Sequence, residues 1–150
     1  MEYTYKQLFS SDVTIFKQLL KVLGEAFEDI ETYQTSVPSD NYLQSFLEKT
    51  HCIVLVAMKG DEVIGGLVAY ELEKFEQDRR EIYMYDLAVA EAYRRQGIAT
   101  HLINELKTIA KTRKAYVIFV QADPEDMSAI KLYESLGIRE DVHHFDIPVN

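Results

Sequence analysis

The sequence predicts one mixed α/β domain over residues 1–150, a mostly antiparallel sheet flanked by helices on both faces. Three observations carry this reading. Stretches with the apolar spacing of helices are interleaved with short apolar runs of strand length. Three strands follow one another in the middle of the chain, joined by a tight turn and a charged connection. A strand–helix–strand unit comes next.

The elements follow in order. Tyr3 to Leu8 alternates tyrosine with polar residues and reads as a short first strand. Ser10, Ser11 and Asp12 are helix-capping types. From Val13, apolar residues recur at Phe16, Leu19, Leu20, Leu23 and Phe27, which is one helical face. Glu28 to Ser39 is polar, contains Pro38 and reads as a loop, after which Asp40 is placed to cap a shorter helix carrying Tyr42, Leu43, Phe46 and Leu47. Cys52 to Lys59 is a continuous apolar run, as expected of a strand covered on both faces. Gly60-Asp61 signals a tight turn, and Glu62 to Leu72 returns as the second strand of a hairpin. Beyond the charged stretch Lys74 to Arg79, Glu81 to Val89 is a third long strand. Ala90 to Gln96 is a polar turn. Gly97 to Lys111 is an amphipathic helix with Ile98, Leu102, Ile103, Leu106, Ile109 and Ala110 on one side. Ala115 to Ala122 is a further strand. Met127 to Leu136 is a short helix closed by Gly137 as a C-cap, and the alternating tail Val142 to Val149 reads as a last strand.

Composition narrows the function. A chain of 150 residues, 47% hydrophobic and 27% charged, has the make-up of one ordinary globular domain with its own core. The formal net charge of −9 opposes a general nucleic-acid binder, which would present a basic face. It suits a cationic partner, although many soluble proteins are simply acidic. A single cysteine, Cys52, allows no internal disulfide. The first residues lack the basic and apolar regions of a signal peptide. The longest apolar run, Cys52 to Met58, is far short of a membrane span. The expected location is the cytoplasm, with no membrane partner.

The stretch that carries chemistry is Asp86-Leu87-Ala88-Val89 followed by Arg94-Arg95-Gln96-Gly97-Ile98-Ala99. A strand, a basic turn and a helix start lie in succession. A helix N-terminus presents unpaired N–H groups and a partial positive charge, which makes it an anion site suited to a pyrophosphate. Gly97 and the small Ala99 let the backbone approach phosphate oxygens, and Arg94 and Arg95 add fork-shaped donors. Taken alone, Arg-x-x-Gly-x-Ala also fits a solvated basic turn. Neither a Walker A loop nor a Gly-x-Gly-x-x-Gly fingerprint is present.

In its setting this segment resembles the acetyl-CoA motif of the Gcn5-related N-acetyltransferase (GNAT) superfamily, Gln/Arg-x-x-Gly-x-Gly/Ala, and the order of elements is similar over essentially the whole chain. The resemblance implies a mixed sheet with splayed central strands and acetyl-CoA as co-substrate. It implies that Leu87, Ala88 and Val89 meet the pantetheine arm, and that Arg94, Arg95, Gln96, Gly97, Ile98, Ala99 and Thr100 hold the pyrophosphate. Ala99 stands where glycine is commoner. The segment Ala129 to Gly137 resembles the family's fourth helix, which implies Tyr133 as the acid that protonates the leaving thiolate. A packing role is the alternative for that tyrosine.

Further stretches are similar to aminoglycoside 3-N-acetyltransferases of the gentamicin-acetylating type. They are Phe27 to Tyr33, Phe75-Glu76-Gln77, Glu81 to Val89, Val120 to Asp123 and His144 to Ile147. That resemblance implies transfer to the 3-amino group of the deoxystreptamine ring, and hence antibiotic resistance. A cluster of ammonium groups needs carboxylates around it. Glu28 and Asp29, with Glu31, lie in the loop after the first helix; Asp123 and Asp126, with Glu125, lie past a strand end; Asp146 is near the C-terminus. Each also fits a solvated surface acid. Tyr33 and Tyr85 are the aromatic candidates for the substrate cleft.

Asp86 is the sharpest single residue. It interrupts an apolar strand, and strict alternation puts it on the face of Ile82, Met84 and Ala88. A carboxylate there is costly unless it is paired or functional. A β-bulge would re-aim it towards a cleft. The resemblance implies that it lies beside the reacting amine, as the base that removes its proton; a structural pairing with an arginine or a backbone N–H is the alternative. Cys52 lies in a buried apolar run, which disfavours a reactive thiolate, so an acyl-cysteine route is not expected. No Cys/His spacing points to a metal, and adjacent His143 and His144 would face opposite sides of a strand.

Three other functions stay open at this stage. One is acetylation of a polyamine such as spermidine, another is a non-catalytic acetyl-CoA sensor, and the third is acetylation of a protein. Superfamily members often form homodimers, and the apolar C-terminal segment is available for one.

Overall fold

A computed structural model describes residues 2–150, apart from the side chains of residues 34 and 35. The chain divides into two compact units, Met1–Val120 and Gln121–Asn150. In the first, a five-stranded sheet has the order β1-β2-β3-β4-β5, with β1 Thr4–Gln7, β2 Cys52–Lys59, β3 Glu62–Glu73, β4 Arg80–Val89 and β5 Ala115–Phe119. The first four strands pair antiparallel, and β5 runs parallel to β4. The helices are α1 Val13–Ala26, α2 Asp40–Glu48 and α3 Ile98–Thr112.

Alternation along β2 divides the core into two layers. Val54, Val56 and Met58 point to the face covered by Phe16, Leu19 and Leu23 of α1 and by Leu43 and Leu47 of α2. Ile53, Leu55 and Ala57 point the other way and are equally buried, as are Ile98, Leu102, Ile103, Leu106 and Ala110 of α3. Both faces of the central strands are therefore covered, which is why β2 reads as an unbroken apolar run. At Gly66 the approach of α1 is closest: a Cβ there would meet Leu19 Cδ1 and Leu55 O, each at 2.6 Å.

Two irregularities of β4 shape the functional region. The β3–β4 register passes from Val68 opposite Asp86 to Ala69 opposite Met84, leaving Tyr85 as an extra residue in a β-bulge. Residues directly opposite one another share a face. Met84 therefore follows Ala69 towards the α3 side, whereas Asp86 follows Val68, whose cluster contains α1, α2 and Ala88. This corrects the alternation argument. Asp86 shares a face with Ala88 but not with Ile82 and Met84, because the bulge reverses the parity of the strand. The second irregularity is a splay, since β5 pairs with β4 only from Arg80 to Tyr83. Beyond that point the β5-facing edge of β4 has no ladder partner among the described residues.

Other expectations are corrected at element ends. Glu28 to Ser39 is not all loop, since Glu31–Thr35 forms a π-helical turn. The cap of α2 is Ser39, whose Oγ accepts from Tyr42 N at 3.1 Å, so Asp40 is already inside the helix. The fifth strand stops at Phe119 rather than Ala122, where its pairing with the diverging β4 ends.

The second unit holds α4, Met127–Leu136, as its only helix or strand. Asp126 caps it, accepting from Ala129 N at 3.1 Å. Gly137 does not take the left-handed conformation of a glycine C-cap; at φ −151° and ψ −164° it leaves the helix in extended form, its N–H still bonded to Tyr133 O at 2.8 Å. The tail Val142 to Val149 is not a strand. Its alternation is real, but alternation makes a strand only when a neighbour supplies the ladder of hydrogen bonds, and this segment has none among the described residues. His143 and His144 are thus not strand neighbours; His144 Nε2 lies 2.9 Å from Asp146 Oδ1 instead.

Candidate active site

The bulge sets Asp86 among aromatic side chains on the face of α1 and α2. Tyr33, carried by the π-helical turn after α1, donates its hydroxyl to Asp86 Oδ2 at 2.8 Å. The turn is braced at its start, where Asp29 N bonds Gly24 O at 2.9 Å and Thr32 N donates to Asp29 Oδ1 at 3.2 Å. The Phe27 ring packs on Tyr33 at 5.9 Å between centroids. From the sheet side, Tyr85 meets Tyr70 edge-on at 6.0 Å and Tyr83 at 5.6 Å. Tyr83 stacks on Phe119 of β5 at 4.7 Å, and Tyr70 meets Phe46 of α2 at 5.9 Å. Tyr33, Tyr70 and Tyr83 thus lie near one carboxylate, with Phe27, Phe46, Tyr85 and Phe119 packed against their rings.

The electrostatics follow from this enclosure. Burial pushes the Asp86 carboxyl above its ordinary value, and the Tyr33 hydrogen bond pulls part of the way back. Burial also raises the Tyr33 phenol, with the hydrogen bond and charge of Asp86 adding to it, so Tyr33 keeps its proton and acts as a donor. Among the described residues no lysine or arginine forms an ion pair with Asp86. Its structural pairing is with a neutral phenol.

The second part of the site is the turn that ends β4. Arg94 Nε donates to Val89 O at 3.0 Å and ties the turn to the strand end. Arg95 and Gly97 both have left-handed backbone, φ 63° and 79°. Such a turn aims successive N–H groups at one point, an anion-binding concavity. The first helical amide with an acceptor within the helix is His101 N, on Gly97 O at 3.0 Å. The N–H groups of Ile98, Ala99 and Thr100 precede it and are the unpaired ones of a helix start. Nothing lies within 4 Å of a Cβ built on Gly97, so its surroundings are open. Gln96 is held at its side chain by the Tyr3 hydroxyl. The unpaired edge of β4 and this concavity fit an extended arm that ends in a pyrophosphate.

The remaining predicted residues are placed as follows. Glu28 and Asp29 are exposed on the loop that leads to Tyr33, and Tyr85 is 58% exposed on the bulge. In the second unit, Asp123 is exposed, Asp126 caps α4, Asp146 faces His144 and Tyr133 is half-buried on α4. Cys52 is buried, and burial pushes its thiol up, away from the nucleophilic thiolate. Sequence reasoning missed Tyr70 and Tyr83. Both read as ordinary strand residues, and only the pairing of Tyr70 with Tyr83 beside the bulge brings them to Asp86.

A splayed sheet, a turn of unpaired N–H groups at the splay and a half-buried carboxylate on a bulge leave the end of β4 open to an extended ligand. The profile of the acetyltransferase (GNAT) family matches residues 16–138, and the chain belongs to that family. Enzymes of this family take acetyl-CoA as their acetyl donor. Among solved structures it is similar to the aminoglycoside acetyltransferase HMB0005 from an uncultured soil metagenomic sample, with 53% identity, a TM-score of 0.98 and complete coverage of both chains. It is also similar to the aminoglycoside acetyltransferase meta-AAC0020, from the same kind of sample and in complex with sisomicin. There the identity is 30% and the TM-score 0.91, over 99% of this chain and 97% of that one. N-alpha-acetyltransferase 30 of Xenopus laevis is 30% identical over 105 residues, which is 70% of this chain but 38% of the relative's length.

Proposed function

We propose that residues 1–150 act as one acetyltransferase domain that moves the acetyl group of acetyl-CoA to the 3-amino group of the deoxystreptamine ring of a gentamicin-like aminoglycoside. The observation that carries this reading is Asp86, half-buried on the β4 bulge and held by Tyr33 with no cationic partner among the described residues. Likeness over their full length to two aminoglycoside acetyltransferases, one bound to sisomicin, supports the substrate class. The net charge of −9 suits a polycation.

When bound, acetyl-CoA supplies a thioester carbonyl to be attacked. Leu87, Ala88 and Val89 would pair with its pantetheine arm, and the segment Arg94, Arg95, Gln96, Gly97, Ile98, Ala99 and Thr100 would hold its pyrophosphate, chiefly through its amides. Asp86 takes a proton from the acceptor ammonium group, which gives the amine its nucleophilic lone pair. A backbone N–H near Leu87 or Ala88 polarises the carbonyl. As the C–N bond forms and the C–S bond breaks, Tyr133 would give a proton to the departing sulfur and regain one, through solvent, from the nitrogen as it becomes an amide. Glu28, Asp29, Asp123, Asp126 and Asp146, with the rings of Tyr33 and Tyr85, bind the remaining ammonium groups and sugar faces. The reaction is a direct attack in a ternary complex and needs no metal. The cytoplasm is the proposed location, and a homodimer the proposed assembly.

The test is thiol release from acetyl-CoA with gentamicin, spermidine and an N-terminal peptide offered separately at equal concentration. The peptide arm answers to the N-alpha-acetyltransferase relatives. Rapid turnover with gentamicin, and a product acetylated at the 3-amino group, is the expected result. Turnover confined to spermidine or to the peptide would retain the acetyl transfer and overturn the acceptor.

A further inference from the structure

Resting on the reading of Asp86 as the base, we propose that Tyr33 is its positioning residue: the phenol fixes Oδ2 of the carboxylate and leaves Oδ1 to take the proton from the acceptor amine.

The geometry assigns the two oxygens different tasks. Oδ2 accepts from the Tyr33 hydroxyl at 2.8 Å. Oδ1 has no hydrogen-bond partner among the described residues and is the atom left for an incoming ammonium group. Fixing one oxygen stops rotation of the carboxylate about its own axis, so the basic lone pair is aimed before substrate arrives. The proton moves from the ammonium nitrogen to Oδ1, and Tyr33 keeps its own.

The choice of partner matters for basicity. A cation beside a carboxylate lowers its pKa by about 1–3 units and would remove the proton affinity a base requires. A neutral phenol steadies the ionised form more gently. The groups facing this pair are Tyr70 from β3, Tyr83 and Tyr85 from β4, and Asp29 from the loop that carries Tyr33. None of them is a cation. Burial alone would hold Asp86 protonated further up the pH scale, and the Tyr33 hydrogen bond counters this.

The mounting of Tyr33 fits a positioning role. Its turn is π-helical, with Ser36 N on Glu31 O at 3.3 Å, and single π-helical turns recur at functional sites. The ring is held by Phe27, so replacing the hydroxyl with hydrogen leaves the packing surface intact.

The experiment compares wild type, Tyr33→Phe, Asp86→Asn and the double variant in two ways. The first is the pH dependence of kcat and kcat/KM for gentamicin. The second is an NMR titration of the Asp86 side-chain carboxyl, which needs no substrate. In Y33F the carboxyl titration and the acidic limb of kcat/KM both move to higher pH by the same amount. Its kcat falls about ten-fold, as for loss of one aligned hydrogen bond, while KM for gentamicin changes less than two-fold. In the D86N background Y33F costs nothing further, as expected of residues acting as one unit. An unmoved carboxyl titration in Y33F, or an equal loss on both backgrounds, overturns the positioning role. A D86N enzyme that keeps the wild-type rate and limb overturns the base reading, and with it the catalytic half of this proposal; the carboxyl titration still decides separately whether Tyr33 tunes Asp86.

Discussion

The Tyr33 hydroxyl lies 2.8 Å from Asp86 Oδ2, although 53 residues of chain separate the two. The contact joins the turn after α1 to the bulge of β4 and exists only because that bulge turns Asp86 to the α1 face. An ionised carboxylate beside aromatic rings, with a neutral phenol as its hydrogen-bond partner, is a poor arrangement for stability and a good one for a base.

That conflict gives the first prediction. Burial holds the Asp86 carboxyl above its ordinary 3.8, so between that value and the raised one the folded chain binds a proton that the unfolded chain has released. Stability from this group is therefore present below the unfolded value and is lost as pH rises through the folded one. Asp86→Asn cannot ionise and keeps an oxygen for Tyr33. Its melting temperature at pH 7.5 should equal or exceed that of wild type, while kcat falls by about 10²-fold or more, the contribution typical of a general base. Acetyl-CoA affinity should be unchanged. Calorimetry beside steady-state kinetics checks the pair; a variant that is less stable and equally active would show that Asp86 is structural.

The second prediction concerns the turn before α3. Gly97 sits at φ 79° with open space around it, so adding a Cβ costs backbone strain and not a clash within the protein. Left-handed backbone costs other residues about 1–2 kcal/mol. Gly97→Ala should lower stability by about that much and raise KM for acetyl-CoA about ten-fold or more, because the added methyl group enters the space proposed for phosphate. A stability loss of that size with unchanged KM would leave Gly97 a conformational role only.

Much of the fold was legible because its helices and central strands carry strong periods. The bounds of β2, Cys52–Lys59, and of α4, Met127–Leu136, are those the apolar patterns predict. A carboxylate in an apolar strand pointed to a bulge, but its place was not legible, because it depends on which β3 residue faces which β4 residue, and Tyr85 looks no different from its neighbours when it is the extra one. Strict alternation alone therefore puts Asp86 on the wrong face, and the re-aiming bulge is the reading the register supports. Tyr33 was recognisable as a cleft aromatic, but its pairing with Asp86 is a long-range contact that local pattern does not encode. The tail misled in the opposite way: Val142 to Val149 has strand alternation, but a strand also needs a neighbour.

Packing at Gly66 supports a stability prediction independent of chemistry. A Cβ there would come within 2.6 Å of both the Leu19 side chain and the Leu55 carbonyl oxygen, and the latter is backbone that cannot turn aside. Gly66→Ala should destabilise the fold by about 1–3 kcal/mol, the usual range for overpacking. Urea unfolding measures it. An unchanged midpoint would mean that α1 and β2 separate at little cost.

Tyr85 supplies the last prediction, which separates substrate binding from catalysis. It is the bulged residue, 58% exposed, braced edge-on by Tyr70 and Tyr83 and adjacent in sequence to Asp86. An exposed ring of fixed orientation beside a base is suited to receive a cationic amino sugar on its face, a contact worth about 0.5–1 kcal/mol at exposed sites. Tyr85→Ala should therefore raise KM for gentamicin about two- to five-fold while changing kcat less than two-fold. Tyr85→Phe should restore the wild-type KM, since the ring and not the hydroxyl makes the contact. Steady-state kinetics on both variants is the check. If Tyr85→Phe is as impaired as Tyr85→Ala, the hydroxyl is the binding group; if kcat falls with KM unchanged, Tyr85 serves to shape the bulge that aims Asp86.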